Sequence, residues 1–312
     1  MINYYFLPMS MGILMTLISN SWIIMWMGME LNLMSILPLM NKNKSNKSIE
    51  CSMKYFLIQS FSSLLLIFLL SNTLIFKMSS LFPLEMTLFF KMGLMPFHFW
   101  YPDLFTKMSW NISSIMFTMQ KLAPLWMLSI FLTNNMLLHS IIIMNLLVSS
   151  LGMWNEKNIQ KLMAFSSISH SSWMMSSMMF SKFWWMMYWS IYTLSLLPVL
   201  YFFKQMNLLT MNQFLSINLT PWTKMMTFLN LLSLGGYPPL LGFIPKWYIL
   251  LMLNNKLLLL TMTLLSSFSL YIYMKMWILS LLISKNISLK KMNLPTYLSM
   301  IILLSTFLWM MI

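Results

Sequence analysis

Long apolar runs dominate the chain, and short polar or lysine-containing stretches separate them. An α-helix needs about 17–25 mostly apolar residues to cross the hydrocarbon core of a bilayer. With that length, the pattern predicts about eleven membrane-spanning helices, near residues 3–19, 21–40, 53–76, 83–101, 109–132, 136–153, 159–180, 183–203, 224–252, 256–284 and 296–312. We therefore predict an all-α polytopic membrane protein whose residues 1–312 form a single transmembrane domain.

Two of these apolar runs carry a lysine and are interrupted by proline and glycine. Lys91 lies in FKMGLMPFHFW, and Lys246 lies in GGYPPLLGFIPKW. A lysine at bilayer depth costs about 2.5–3.5 kcal/mol on insertion scales, so it is expected to face a bundle interior or a water-filled path. The pattern predicts interrupted helices near residues 83–101 and 224–252.

The interrupted helices take the same place, the fourth of five, in two halves of the chain. Helices one to five cover about residues 3–132 and helices six to ten about residues 136–284, with the eleventh as an addition. Because five is an odd number, the second set of five enters the membrane in inverted orientation. Discontinuous helices in both halves of a chain are typical of transporters built from inverted repeats.

The lysines of the polar segments predict the orientation in the membrane. With eleven helices, the opposite side from the N-terminus collects only Lys77, Lys182 and Lys256. The side of the N-terminus collects twelve lysines, which are Lys42, Lys44, Lys47, Lys54, Lys107, Lys157, Lys161, Lys204, Lys224, Lys285, Lys290 and Lys291. Loops on the inner side of a membrane carry an excess of basic residues, so the N-terminus is predicted on the inner side and the C-terminus on the outer side.

Composition supports the membrane class and indicates the genome. Hydrophobic residues make up 59% of the chain and charged residues 8%, whereas a soluble domain has about 25% charged residues. Arginine is absent and methionine occurs 40 times. This usage favours an A/T-rich genome that reads ATA as methionine, as animal mitochondrial genomes do. The alternative is that methionine fills irregular gaps between helices.

Several chemistries are excluded by composition and motif. A net charge of +14 could indicate a protein that binds nucleic acid. The lysines are, however, spread between apolar stretches and are not clustered in one polar segment, so no nucleic-acid partner is expected. One cysteine, Cys51, excludes an intrachain disulfide. The sequence has no Gly-rich phosphate loop, dinucleotide fingerprint, iron–sulfur cysteine cluster or paired haem histidines. We therefore expect no bound cofactor and no metal site.

Five segments together resemble a known family. They are MGMELNLMSILPLM at 27–40, FKMGLMPFHFWYPD at 90–103, TMQKLAPLW at 118–126, KLMAFSSISHSSWM at 161–174 and LNLLSLGGYPPLLGFIPKW at 229–247. The combination resembles the subunit 2 family of mitochondrial NADH dehydrogenase (ubiquinone), one of the antiporter-like groups in the membrane arm of respiratory complex I. The resemblance covers about residues 19–284. It implies a proton-translocating subunit of the mitochondrial inner membrane, with the N-terminus in the matrix and the C-terminus in the intermembrane space.

The resemblance also implies partners and alternatives. Other membrane-arm subunits of complex I would surround the chain, with phospholipids, cardiolipin included, as candidate contacts. NADH, FMN, the iron–sulfur clusters and ubiquinone would belong to other parts of the complex. Two alternatives stay open: a stand-alone cation/proton antiporter, active without partners, and a purely structural membrane-arm subunit, whose buried charges could be neutralised without loss of pumping.

The resemblance further implies four proton stations, Glu30, Lys91, Lys121 and Lys246. Glu30, the only acid expected inside a helix, would pair with Lys91, because the glutamate of MELN pairs with this lysine in the family. An opposite charge favours the charged form of a buried lysine, so moving the partner would make Lys91 hold or release a proton. Lys121 would be the next station and Lys246 the exit. The alternatives are a fixed ion pair, a lysine that reaches a headgroup, and a snorkelling lysine, respectively.

Other polar residues are weaker candidates. His170 lies among serines that could hold a water chain as a relay or could serve helix packing, and both interpretations stay open. His98 is expected to be interfacial or satisfied, and Lys275 is expected to snorkel. Pro124 is expected to loosen the helix that carries Lys121. The remaining acids, expected at helix ends or in loops, are Glu50, Glu85, Asp103 and Glu156.

Overall fold

A computed structural model of the chain describes residues 2–43, 45–76, 81–132, 136–216 and 221–282. These residues form fourteen α-helices, and among them there is no β-strand beyond an isolated bridge between Asn158 and Thr210. The predicted all-α fold class is confirmed. The predicted eleventh helix, 296–312, lies outside the described residues.

The chain divides into two compact units, Met1–Leu138 and His139–Ile312. Their boundary lies close to the predicted boundary between the two sets of five helices. The first unit contains α1 (Ile2–Ile18), α2 (Trp22–Met40), α3 (Asn46–Phe76), α4 (Phe82–Met92), α5 (Trp100–Phe105), α6 (Trp110–Phe117) and α7 (Met119–Phe131). The second contains α8 (Met136–Asn155), α9 (Ile159–Met178), α10 (Lys182–Gln205), α11 (Met211–Ser216), α12 (Pro221–Gly235), α13 (Phe243–Met252) and α14 (Lys256–Leu282).

Five stretches of these helices are long and apolar enough to cross a membrane. They are Trp22–Met40, Asn46–Asn72, Met136–Asn155, Lys182–Gln205 and Lys256–Ile278, and two further helices, Tyr4–Ile18 and Phe243–Met252, are apolar but shorter. Among the described residues, the other predicted spans miss this criterion for physical reasons. Some are broken into short segments, and α9 is rich in serine but is buried along almost its whole length. A helix that is buried all round belongs to the core of its unit.

The helix that was predicted at 53–76 begins earlier, at Asn46. Ser45 and Ser48 cap its start reciprocally, because the backbone N–H of each donates to the side-chain oxygen of the other, at 3.2 and 3.1 Å. This is the arrangement of a capping box, with serine in place of the usual glutamate. Glu50 in the same segment pairs with Lys54 and Lys107 at the surface. Polar residues therefore extend the helix beyond its apolar run.

Three helices are broken. The chain leaves helical conformation between α4 and α5 and again between α12 and α13, inside the ranges 83–101 and 224–252 where interruptions were expected. A third break lies at Thr118, which separates α6 from α7 with φ −109° and ψ −78°. Pro124, which we expect to loosen the helix that carries Lys121, lies inside α7. A proline there has no N–H to donate to the carbonyl oxygen of Gln120, four residues earlier.

The short helix α11 was not predicted, since its segment matched no motif. Its start is fixed by polar contacts: the side-chain oxygen of Gln213 accepts from the N–H groups of Leu209 and Thr210, at 2.8 and 3.2 Å. The preceding segment also pairs with the start of α9, where Ile159 N–H donates to the Leu209 carbonyl at 2.9 Å. Long-range contacts of this kind leave no periodic signal in the sequence.

Candidate functional site

Glu30 and Lys91 form an ion pair in the first unit. Glu30 lies on α2 and Lys91 in the last turn of α4, and the carboxylate Oε1 is 3.8 Å from Nζ. The Lys91 side chain is 4% exposed and the Glu30 side chain 23%. Burial alone disfavours both charged forms, and proximity of opposite charges offsets this cost. The structure thus brings together the two residues whose pairing the resemblance implies.

The end of α4 also favours a positive charge at Lys91. Gly93 ends the helix with φ 67°, and its N–H donates to the carbonyl oxygens of Phe89 and Phe90. Gln59 of α3 donates from Nε2 to the carbonyl oxygen of Lys91 at 2.9 Å. The carbonyl end of a helix carries partial negative charge and stabilises a cation in the last turn. Lys91 therefore has both a carboxylate and a helix end to support its charge.

Lys121, near the start of α7, is 3% exposed. Its Nζ lies 5.2 Å from the centroid of the Tyr101 ring on α5, within the range of a cation–π contact. Tyr101 also packs closely against the helix break that follows Lys91. A Cβ atom added at Gly93, in this break, would lie only 2.5 Å from the Tyr101 Cβ. One aromatic side chain therefore contacts both the helix break beside Lys91 and the amine of Lys121.

A polar network joins three helices of the first unit, and no motif pointed to it. The Tyr55 hydroxyl donates to Oε1 of Gln120 at 3.3 Å, and Nε2 of Gln120 donates to Oδ1 of Asn32 at 3.0 Å. Tyr55 is on α3, Gln120 on α7 and Asn32 on α2. The one available signal was position, since Gln120 directly precedes Lys121 and Asn32 follows Glu30 by two residues.

Lys246 lies on α13 in the second unit and is 6% exposed. Its Nζ donates to the carbonyl oxygen of Gly235, the last residue of α12, at 2.8 Å, and it lies 5.7 Å from the Trp173 ring centroid. The side chain reaches this helix end by passing over Gly236, where φ is 79° and an added Cβ would lie 2.8 Å from Cδ of Lys246. Lys246 thus turns back across the break.

Lys91 and Lys246 differ in their position relative to the break but share an electrostatic environment. Lys91 precedes its break, on the first half-helix, and Lys246 follows its break, on the second. Both amines nevertheless interact with the carbonyl end of the first half-helix. Lys91 lies in the last turn of that half-helix, and Lys246 donates a hydrogen bond to the carbonyl oxygen of its last residue, Gly235. The two lysines are therefore equivalent in their electrostatic surroundings. They are not equivalent in their position along the broken helix.

His170 is buried on α9, one turn before Trp173. Its Nδ1 lies 2.9 Å from the Tyr188 hydroxyl, and its ring centroid lies 4.7 Å from that of Tyr192. The neighbouring hydroxyls donate to backbone carbonyls of their own helix, and these are Ser166, Ser167, Ser169, Ser171 and Ser172. A hydroxyl that donates to its own helix keeps only its acceptor lone pairs for water. Both interpretations of this segment, relay and packing, stay open.

Glu85 lies at a helix end, as expected, but is more buried than that position suggests. The structure places it within the first turn of α4, where it is 1% exposed. The packing of α4 against α3 and α7 accounts for this burial. Glu85 is thus a buried acid on the helix that carries Lys91.

His98 and Lys275 have contrasting surroundings. His98 is buried in the segment between α4 and α5, against the Phe99 ring at 4.0 Å between centroids. Lys275 is exposed on α14, and its Nζ lies 5.5 Å from the Trp154 ring centroid. Within the described part of the chain, no three His, Cys, Asp or Glu side chains form a group that could hold a metal ion.

Broken helices whose ends receive buried lysine amines define an antiporter-like membrane protein. The chain belongs to the NADH:quinone oxidoreductase/Mrp antiporter family, whose transmembrane region matches residues 19–85 and 72–273. Among its relatives is chain 2 of NADH-ubiquinone oxidoreductase from Anopheles gambiae, 40% identical over 287 residues that cover 88% of this chain and 84% of the relative. The chain 2 protein of Locusta migratoria is 37% identical over 85% of this chain and 81% of its own length.

Solved structures show the same fold. A chain of respiratory complex I from Thermus thermophilus superposes with a TM-score of 0.81 at 19% identity, covering 98% of this chain and 76% of that one. A chain of the Mrp complex from Dietzia sp. superposes with a TM-score of 0.81 at 14% identity, covering 94% of this chain and 63% of that one. At such low identity these similarities concern the fold alone.

Proposed function

We propose that Glu30, Lys91, Lys121 and Lys246 are the stations through which this chain moves protons from the matrix to the intermembrane space. The chain is a proton-translocating membrane-arm subunit of the NADH-ubiquinone oxidoreductase type, as its family and its chain 2 relatives indicate. Redox chemistry with NADH, FMN, iron–sulfur clusters and ubiquinone takes place in other parts of the complex, and quinone reduction there drives this chain.

One observation carries the proposal: the Glu30–Lys91 pair beside a helix break. At 3.8 Å the pair is longer than the 2.7–2.9 Å or so of a charge-assisted hydrogen bond. Within the described residues, Oε1 of Glu30 makes no hydrogen bond. A fixed structural pair would be expected to close to hydrogen-bond length. The longer separation therefore favours a pair that can open, over one that only holds two helices together.

The proposed cycle follows from this geometry. When Glu30 is charged and close, Lys91 holds its proton. When the pair opens, burial favours the neutral amine and the proton moves toward Lys121. Lys246 then releases the proton outward, with His170 as a candidate relay. Moving one charge against 100 mV costs about 2.3 kcal/mol, and a path open to both sides of the membrane would let protons flow back. The stations must therefore not be connected to both sides at the same time.

The wider architecture belongs to the same proposal. The chain forms one transmembrane domain of about eleven helices in the mitochondrial inner membrane. Two inverted sets of five helices, about 3–132 and 136–284, precede a C-terminal helix. The two compact units with a broken helix in each support this layout. Other membrane-arm subunits and phospholipids, cardiolipin included, cover its apolar outer faces.

Replacing Glu30 tests the proposal. Glu30→Gln removes the counter-charge of Lys91, and losing one partner of a buried pair costs about 3–5 kcal/mol in soluble proteins. That cost concerns stability, so assembly must be checked. In the assembled complex we expect the rate of proton pumping to fall about tenfold or more, because about 1.4 kcal/mol less support for the protonated Lys91 amine is a factor of ten in its population. Electron transfer from NADH to an artificial acceptor upstream should change little. Pumping is measured in proteoliposomes with the assembled complex, and assembly is checked on native gels.

The matched control is Glu50→Gln, which neutralises an ion-paired glutamate at the surface of α3. An exposed ion pair contributes little, so this variant should pump normally. Normal pumping by a fully assembled Glu30→Gln complex would remove Glu30 from the proton path and favour the purely structural alternative.

A further inference from the structure

The segment that carries Lys121 begins directly after a break and needs side chains to hold it. Thr118 interrupts the helix, and α7 starts at Met119. The first N–H groups of a helix have no partner in the preceding turn, so the start of a helix is weakly fixed by its own backbone. Gln120, the second residue of α7, makes the side-chain hydrogen bonds that anchor this start to two other helices.

The two anchors of Gln120 lead to the Glu30–Lys91 pair from two directions. Asn32 lies on α2, the helix of Glu30. Tyr55 lies on α3, one turn before Gln59, whose side chain donates to the carbonyl oxygen of Lys91. A displacement of the helix of Glu30, or of the helix whose Gln59 holds the Lys91 carbonyl, would therefore act on the Gln120 amide, which is bonded to a residue on each of these two helices.

We propose that Gln120, held by Tyr55 and Asn32, is a positioning residue that couples the state of the Glu30–Lys91 pair to Lys121. This inference rests on the proposed function. The amide does not carry the proton; it sets where the amine of Lys121 lies relative to the pair. A movement of α2 or α3 shifts Gln120 and, through the adjoining backbone, Lys121. The network therefore transmits opening of the first station to the second.

The test replaces Gln120 by a residue of the same length without polar groups. Gln120→Met removes the acceptor and both donors, and two hydrogen bonds of this kind together correspond to about a five- to 150-fold change. We expect proton pumping per electron to fall by about that factor in the assembled complex. The matched control is Gln205→Met, because Gln205 also bonds a tyrosine hydroxyl, that of Tyr201 at 2.7 Å, at a partly buried site within α10 of the second unit.

A purely structural role and a coupling role give different results in two measurements. If the network acts as a unit, Tyr55→Phe lowers pumping like Gln120→Met, and the double variant is no worse than Gln120→Met alone. The pH dependence of pumping should also shift in both variants, because the position of the Lys121 amine relative to the Glu30–Lys91 pair changes. Among the described residues, the ionisable groups at or beside the network are Glu30, Lys91, Lys121, Tyr55 and Tyr101, and Glu85 is a further buried acid on α4. A loss of packing alone would lower the amount of complex without moving that profile.

The outcomes separate this inference from the function on which it rests. Lys121→Met is measured in parallel, and normal pumping by that variant overturns the station assignment itself. If Lys121→Met loses pumping but Gln120→Met behaves like Gln205→Met, the coupling role is overturned and the stations stand. If Gln120→Met does not assemble, Tyr55→Phe decides by the same criteria, because it removes only one hydroxyl.

Discussion

At the scale of single residues, different partners stabilise the buried amines of Lys91 and Lys246. Lys91 has a carboxylate, that of Glu30, at 3.8 Å. Lys246 has the backbone oxygen of Gly235 and the face of Trp173. The acid in the sequence of the second unit is Glu156, which pairs with Lys161 at 3.7 Å. Backbone and ring dipoles therefore support the charge of Lys246, where Lys91 has a carboxylate.

Substitution of Lys246 tests its role as a station. Lys246→Met keeps the apolar stem but removes the charge and all three donors, so pumping should fall about tenfold while the complex assembles. Lys246→Arg should rescue poorly, because arginine stays protonated at any working pH. The control is Lys275→Met, since Lys275 also lies over a tryptophan ring but is exposed. Equal pumping by the Met, Arg and unchanged proteins would reduce Lys246 to a helix anchor.

At the scale of elements, the helix breaks create the sites. Each break places a carbonyl end inside its unit, and unwound backbone is tolerated at membrane depth only where protein or water covers it. Gly93 and Gly236 make the turns with φ of 67° and 79°, and each has a side chain packed against the position where a Cβ would stand. Glycine is required there for both reasons, because other residues are strained at positive φ and would also collide.

Adjacent glycines at the second break allow a matched comparison. Gly236→Ala should destabilise the complex by about 1–2 kcal/mol from the left-handed backbone alone, and it should displace the Lys246 side chain. Gly235→Ala adds a methyl group in helical backbone, 3.3 Å from Cγ of Leu270, and alanine favours a helix by about 1 kcal/mol over glycine. Pumping and thermal stability of the assembled complex should therefore fall for Gly236→Ala and change little for Gly235→Ala. Identical behaviour of the two variants would contradict this account of the break.

At the scale of the whole molecule, the lysines are distributed unevenly between the two predicted sides of the membrane. With the eleven predicted helices, the lysines between the helices and at their ends would lie mostly on the side of the N-terminus, and such an excess is typical of the inner side of a membrane. In the described part of the first polar segment, Lys42 and Lys47 are exposed. Together with membership of the NADH:quinone oxidoreductase/Mrp antiporter family, this asymmetry favours a matrix-facing N-terminus.

Protease accessibility tests the orientation. In mitoplasts with an intact inner membrane, trypsin should not cut after Lys47, and it should cut there once the inner membrane is permeabilised. Lys256, exposed at the start of α14, is predicted on the opposite side and should be cut in intact mitoplasts. Cleavage after Lys47 in intact mitoplasts, with Lys256 protected, would invert the topology.

The sequence by itself predicted the all-α membrane class, the two helix interruptions and the burial of Lys91 and Lys246. Apolar runs of spanning length, the two Pro/Gly interruptions and the buried Lys91 and Lys246 are local features, because hydrophobicity and backbone restriction are properties of single residues in sequence order. Only the tertiary structure decided which polar groups meet. The burial of Glu85 and the Tyr55–Gln120–Asn32 network depend on contacts between separate helices, and hydrophobic periodicity does not encode such contacts.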